Sequence, residues 1–358
     1  EVYVRTATEL ADAVSNANAG GPGTIVLYDG TYTLSDMLWV QAEGVTVRSE
    51  SGDREAVIIQ GKGMNGEVTH IFNVAGSRFT VRDVTLQQVS QHAIQLQIDI
   101  DSVLIRNVHI LDTGEQMVKV AYDQNDARSS DNGIMESCLL EYSAGIGPQY
   151  YIGGIDAHFA KNWIVRANIF KAIRSPSDDT AEHAIHFWSD SENTLVERNL
   201  IINCDRGIGF GLGDRGHKGG IIRNNMIYHN TTEGFADVGI AVESASSVQV
   251  YNNTVFLEHS YPNAIEYRFS ETNNAYIANN LTNKVIAQRD GGSATLEQNV
   301  TNAASSWFIN VSVGDLHLSS ALSSVVDQGV AISGLTDDFD GDSRPQGAGI
   351  DIGADEYQ

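Results

Sequence analysis

Ala184-Ile185-His186-Phe187-Trp188, Val196-Glu197-Arg198-Asn199-Leu200, Gly207-Ile208-Gly209-Phe210-Gly211 and Ile222-Arg223-Asn224-Asn225-Met226 follow one another in the middle of the chain. They are copies of two five-residue phrases. The first reads small or apolar, Ile, x, apolar, x. It recurs at residues 93–97, 154–158, 239–243 and 264–268, and more loosely at 117–121 and 285–289. The second reads apolar, x, x, Asn, apolar. Its asparagines, Asn168, Asn199, Asn225, Asn253, Asn280 and Asn299, are 31, 26, 28, 27 and 19 residues apart. Short strands repeating at about 20–30 residues signal a solenoid. The pattern lacks the leucines of a leucine-rich repeat. It predicts an all-β fold, a right-handed parallel β-helix with three strands per coil. Asparagines stacked at one corner would bond from coil to coil. The Asn-x-Thr matches at Asn252, Asn280 and Asn299 therefore read as ladder positions, not glycosylation sites.

Side chains alternate faces along a strand. The Ile and the following apolar residue of each first phrase should point inward, so Ile94, Ile155, Ile185, Ile208, Ile240 and Ile265 should stack in the core. The two x positions should form columns on an outer face. One column reads Gln95, Lys119, Asp156, His186, Gly209, Ala241, Glu266, Ala287. The other reads Gln97, Ala121, His158, Trp188, Gly211, Glu243, Arg268, Arg289. A third, at the strand edge, includes His183 and Arg206. Insertions at 122–131, 142–153, 174–182, 212–219 and 230–237 should wall this face as loops, where repeat proteins place binding surfaces.

The ends read differently. Thr6-Ala7-Thr8-Glu9 fits a capping box, and Leu10, Ala13, Val14 and Ala17 follow at helical spacing. The expected organisation is an N-terminal cap over 1–22 with a helix at 7–18, a β-helix over 23–310, and a C-terminal tail packed on the solenoid over 311–358.

Composition narrows the function. Net charge is 22 − 46 = −24, which argues against nucleic acid, whose phosphates need a Lys/Arg surface. It also means that a polyanionic ligand would need a local basic patch or a cation. No run of apolar residues is long enough to span a membrane. The two cysteines, Cys138 and Cys204, define no disulfide framework, and Cys204 reads as a small core residue. The expected state is a monomer.

Chemistry concentrates in four neighbouring coils. Asp156 and His186 should lie one strand apart, where a carboxylate can orient an imidazole and raise its basicity. His183 is the rival base, and Arg206 the nearby cation. His158, Trp188, Arg215, His217, Lys119, Glu243, Glu266 and Arg268 should line a substrate groove. Gly209 and Gly211 read as a floor cut away for a ligand. Zn²⁺ on His158, His183 and His186 is set aside, since no Cys supports it and Arg206 opposes it; no metal is assigned there. The acidic turn Asp338/Asp340/Asp342 is the one candidate Ca²⁺ site.

Certain stretches carry a resemblance. The Asn-cornered coils resemble the pectate-lyase-type right-handed parallel β-helix superfamily, whose members mostly act on polysaccharides. Thr24–Leu27 through Asp29–Tyr32 resembles the first coil of the alginate lyase and chondroitinase B family. Asp340–Pro345 and Asp351–Glu356 resemble the tail of secreted bacterial β-helix proteins. Residues 181–188 and 203–211 look like a subgroup of these. The resemblance implies a secreted or cell-surface bacterial protein with a polysaccharide as partner. The paired aspartates of polygalacturonases, the Asp-Pro-His-Asp motif of alginate epimerases and a pectate-lyase calcium cluster are not evident. The leading expectation is a polysaccharide lyase cleaving a uronate-containing glycan by β-elimination. The alternatives are an inverting glycoside hydrolase using Glu243 and Glu266, a non-enzymatic carbohydrate-binding solenoid, and an epimerase.

Overall fold

The computed structural model describes residues 1–231 and 235–358. The chain is an all-β parallel solenoid of about ten turns, with one α-helix near its start. One strand from each turn enters a ten-stranded parallel sheet that runs from Leu38–Val40 to Val285–Arg289. We call this the site sheet. The coil Ile155–Lys171 shows the rest of a turn. After its site-sheet strand Ile155–His158 come Ala160–Lys161, in a five-stranded sheet of two-residue strands, and then Ile164–Arg166 and Ile169–Lys171, both in the large sheet.

The first phrase sets the register of the site sheet. Ile94, Val118, Ile155, Ile185, Ile208, Ile240 and Ile265 pair in succession, and all are wholly buried. Period-two alternation leaves no other register that keeps this face dry, because a one-residue slip would turn every isoleucine outward.

The second phrase builds the corner ladder. Each side-chain Nδ2 of Asn168, Asn199, Asn225, Asn253 and Asn280 donates to the Oδ1 of the next asparagine, at 2.9–3.0 Å. The same Oδ1 accepts the backbone N–H of the preceding asparagine. The residue before each ladder asparagine turns the corner at positive φ: Ala167, Arg198, Asn224, Asn252, Asn279 and Gln298. Asn252 is thus a corner residue and not a ladder member; its side chain ties down Asp351 and Gly353 carbonyls. Asn280 and Asn299 are in the ladder.

The helix Ala7–Asn18 is capped by Thr6, whose side chain accepts from Glu9 N, and buries Leu10, Ala13, Val14 and Ala17. Glu9 reaches back to Arg5 N, one residue beyond a standard capping box. Residues 315–354 lie on the solenoid flank, where Leu316, Val325 and Ile352 cover Met226, Tyr228 and Phe256. Asp338, Asp340 and Asp342 bring ligand oxygens within 4.8 Å of one another, a group that could hold an ion. Asp338 already folds the turn, its Oδ1 accepting three backbone N–H groups. Both cysteines are buried and unpaired. No described helix is long and apolar enough to cross a membrane. The expected loop 230–237 falls in part on residues 232–234, outside the described residues.

Away from the site sheet, His229 and His259 meet edge to face at 4.9 Å. Burial lowers His229 to about 4, against a bond from its own Nδ1 to Asn230 O, with Arg174 and Lys284 adding to the lowering. Burial lowers His259 to about 3, with His229 and Lys284 adding. The unfolded chain holds these protons near pH 6.5 and the folded chain does not. Their contribution to stability is therefore complete above pH 6.5 and is lost as pH falls toward 4. His229 alone accounts for up to roughly 3 kcal/mol across that window. Urea midpoints of His229→Leu should fall less steeply than wild type between pH 6.5 and 4. Parallel pH curves for the two proteins would refute it.

Candidate functional site

The columns form as the phrases require. Lys119 pairs with Asp156, Asp156 with His186, His158 with Trp188, His186 with Gly209, and His183 with Arg206. Further along, Ala241 pairs with Glu266 and Glu243 with Arg268. What the sequence did not convey is burial. Asp156 is 2% exposed and His186 not at all. The x positions face out of the coil, but neighbouring rings and the inserted loops cover them.

Asp156 is the hub. Its Oδ2 accepts from the Lys119 ammonium and lies 3.5 Å from His158 Nε2. Its Oδ1 accepts from Trp188 Nε1 at 2.7 Å and lies 3.6 Å from His186 Nδ1. Burial pushes this carboxyl up, but His158, Lys119 and His186 pull it further down, leaving it well below the usual carboxylate range. His158 Nε2 is 3.0 Å from Lys119 Nζ, and its Nδ1 is 3.0 Å from Ser189 Oγ and 3.1 Å from Arg215 Nη2. Burial lowers His158 against the pull of Asp156, and the two cations Lys119 and Arg215 add to the lowering. Arg215 spans the roof, its guanidinium 4.1 Å from the Trp188 ring centre and 5.7 Å from that of Tyr122. The 212–219 loop thus reaches the site, as expected, through Arg215. Glu243 Oε2 pins that loop by accepting from Gly213 N at 3.0 Å.

His186 sits behind this group. Its ring stacks on Trp188 at 4.7 Å and meets His183 at 4.4 Å. Nε2 is 3.3 Å from Gly211 O. Burial holds His183 well below the ordinary histidine value, with His186 and Arg206 adding. Neither ring presents itself to solvent, so His186 faces out of the coil as expected but is covered, and the exposure expected of it is corrected.

The glycine floor is also corrected. A Cβ on Gly209 would lie 2.7 Å from His183 Nε2, so the space is filled by the His183 imidazole and not left for a ligand. Gly211 has φ +76°, and a Cβ there would meet Glu243 O at 1.8 Å; the backbone itself demands glycine. Gly209→Ala should therefore overpack the histidine pair and cost about 1–3 kcal/mol. Denaturant unfolding checks this, and an unchanged midpoint would mean that the ring moves freely.

Other expected residues lie apart from the hub. Arg206 turns to Asp237, Nε to Oδ2 at 3.3 Å. His217 stacks on Phe210 at 4.0 Å and bonds Thr194 Oγ1 at 2.9 Å, which makes it a packing residue. Glu243 pairs with Arg268 at 3.3 Å, and Arg268 with Asp290 at 2.8 Å. Glu266 is 2% exposed and accepts from Tyr261, Asn263 and Arg289. An arginine thus closes each carboxylate of the pair expected for hydrolysis. Sequence reasoning missed Tyr122, Ser189 and Glu182. All three flank the phrases without belonging to them, so no repeat position flags them.

No family model and no curated protein sequence matches the chain. Solved structures do match its fold. Pectate lyase Pel9A superposes with a TM-score of 0.65 at 15% identity, over 96% of this chain and 90% of that one. The surface protein and adhesin PfbA of Streptococcus pneumoniae gives 0.51 at 14% identity, over 82% and 93%. The A-module of Azotobacter vinelandii mannuronan C-5 epimerase AlgE6 gives 0.50 at 13% identity, over 83% and 92%. The fold is shared with a lyase, an adhesin and an epimerase, so function must come from the site itself.

Proposed function

We propose that the protein is a secreted or cell-surface polysaccharide lyase that cleaves a uronate-containing glycan by β-elimination, in a groove across a right-handed solenoid with three faces per coil. One observation carries the reading. On a chain of net charge −24, Lys119 and Arg215 converge on one buried carboxylate and one buried imidazole, beside Trp188 and Tyr122. This is the local basic patch that a polyanion needs to approach an acidic protein. Exposed Tyr150 and Tyr151 lie beside it, Lys119 Nζ being 5.9 Å from the Tyr151 ring centre. Sugar rings have aromatic faces here to rest on.

β-Elimination needs a base for the proton beside the uronate carboxylate and a cation for the enolate-like charge that follows. Lys119 and Arg215 are the partly exposed charged members of the cluster. The Lys119 amine takes the substrate proton, and Asp156 and neutral His158, 3.0 Å away, accept hydrogen bonds from the ammonium that results. Arg215 meets the carboxylate, and its positive charge counts most as the enolate forms. His186 and His183 brace the hub from behind; Arg206, Glu243, Glu266 and Arg268 shape the outer wall.

The test is a polysaccharide panel read by the ultraviolet absorbance and the mass of the products. An unsaturated uronate product, lighter by one water than a hydrolysed one, supports elimination. Reducing ends without unsaturation would move the activity to hydrolysis. Saturable binding without turnover would leave a carbohydrate-binding solenoid.

A further inference from the structure

We infer that Glu182, His183 and His186 form a binding site for a divalent transition ion of the zinc class. The inference does not depend on the lyase reading, because Glu182, His183 and His186 take no proton in the elimination.

The polar atoms at this spot lack partners. Among the described residues, eleven buried side-chain nitrogens and oxygens have no hydrogen bond, and five of them are here: Glu182 Oε2, His183 Nδ1, His186 Nδ1 and both amide atoms of Gln116. Native interiors seldom leave such atoms orphaned, and a cluster of them marks a missing ion or water. The His186 tautomer sharpens the point. Nε2 faces the Gly211 carbonyl at 3.3 Å and so carries the proton. That leaves a lone pair on Nδ1, aimed between Glu182 Oε2 and Asp156 Oδ1, each 3.6 Å away. Glu182 Oε2 and His186 Nδ1 thus face each other with no donor between them. A metal-bound histidine commonly donates its other N–H to a carbonyl in this way.

The spacing suits an ion. Ligands about 2.0–2.2 Å from zinc lie roughly 3.3–3.6 Å from one another in a tetrahedron. Ligand atoms of Glu182, His183 and His186 already lie within 4.8 Å of one another. Gly209 lacks the side chain that would displace His183. Two imidazoles with a carboxylate favour zinc over calcium or magnesium, which take oxygen. Arg206 does not oppose the charge, because Asp237 pairs with it. The Glu182 side chain is 22% exposed and gives the ion its way in.

A second cluster, His317, Asp340 and Asp355, must be separated from this one. The test uses untagged full-length protein, stripped with chelator and titrated with Zn²⁺ by calorimetry, with metal content read by mass spectrometry. The expected result is one zinc retained per chain, unchanged in His317→Gln, and weakened at least about tenfold in Glu182→Gln and His183→Gln. Co²⁺ in the wild-type protein should give the visible absorption of a tetrahedral nitrogen–oxygen site, a readout that needs no variant. Glu182→Gln should fold, since Oε2 has no partner to lose. Zinc should also raise the melting temperature of wild type but not of Glu182→Gln. No uptake by wild type, or uptake lost in His317→Gln and kept in Glu182→Gln, would overturn the site.

Discussion

Lys119→Met is expected to lower turnover of a uronate glycan by about 10²–10⁴, with little change in KM. The argument runs from geometry. Lys119 reaches Asp156 and His158 together, and its side chain keeps 14% exposure where Asp156 keeps 2%. It is the group of the hub that a glycan can touch from the groove. Its removal takes away the proton acceptor for the substrate and leaves ground-state contacts largely in place. Arg215→Met should behave differently. Its guanidinium would meet the uronate before and during proton loss, so KM should rise as kcat falls. Arg215→Lys should recover part of the binding but not the rate, because an ammonium lacks the planar fork. All three variants should be compared by steady-state kinetics on the best glycan of the panel. Near-full turnover in Lys119→Met would remove it from the mechanism, and His158 would then be the base to test.

The same residues show how far sequence alone reaches. Register was legible, because a period of two and one apolar phrase per coil allow a single alignment of Ile155, Ile185, Ile208 and Ile240. The columns of chemistry followed directly from it. Burial was not legible. Whether an outward residue meets water depends on what loops and neighbouring rings lay over it, and Arg215 and Tyr122 come from outside the repeat. Gly209 illustrates the same limit. A missing side chain reads as free space, but a ring from the preceding coil, His183, occupies it. Glu182 precedes its strand and belongs to no column, yet its Oε2 stands 3.6 Å from the unpartnered Nδ1 of His186. Chain order carries spacing along the axis well and packing across the groove poorly.

Asn225→Ala should cost about 3–5 kcal/mol of stability, far more than an ordinary surface change. Asn225 sits mid-ladder and is wholly buried. Its Oδ1 accepts from Asn199 N at 3.0 Å and Asn199 Nδ2 at 2.9 Å. Its Nδ2 donates to Val196 O at 3.0 Å, Arg223 O at 2.9 Å and Asn253 Oδ1 at 2.9 Å. Alanine strands the Asn199 N–H and the Val196 carbonyl in a dry corner. Each orphan costs about 1–3 kcal/mol, and the lost volume adds to this. Asn299→Ala should cost much less, because Asn299 ends the ladder and is only partly buried, so water can replace it. Asn225→Asp separates hydrogen bonding from volume. The aspartate fills the same space and keeps the acceptor for Asn199. It turns the donor into a fourth acceptor facing Val196 O, Arg223 O and Asn253 Oδ1, so it should destabilise about as much as alanine. Urea unfolding of the three variants decides the matter. If Asn225→Asp were as stable as wild type, the ladder would be a packing device, and the coil-to-coil amide bonds would contribute nothing measurable to holding the solenoid closed.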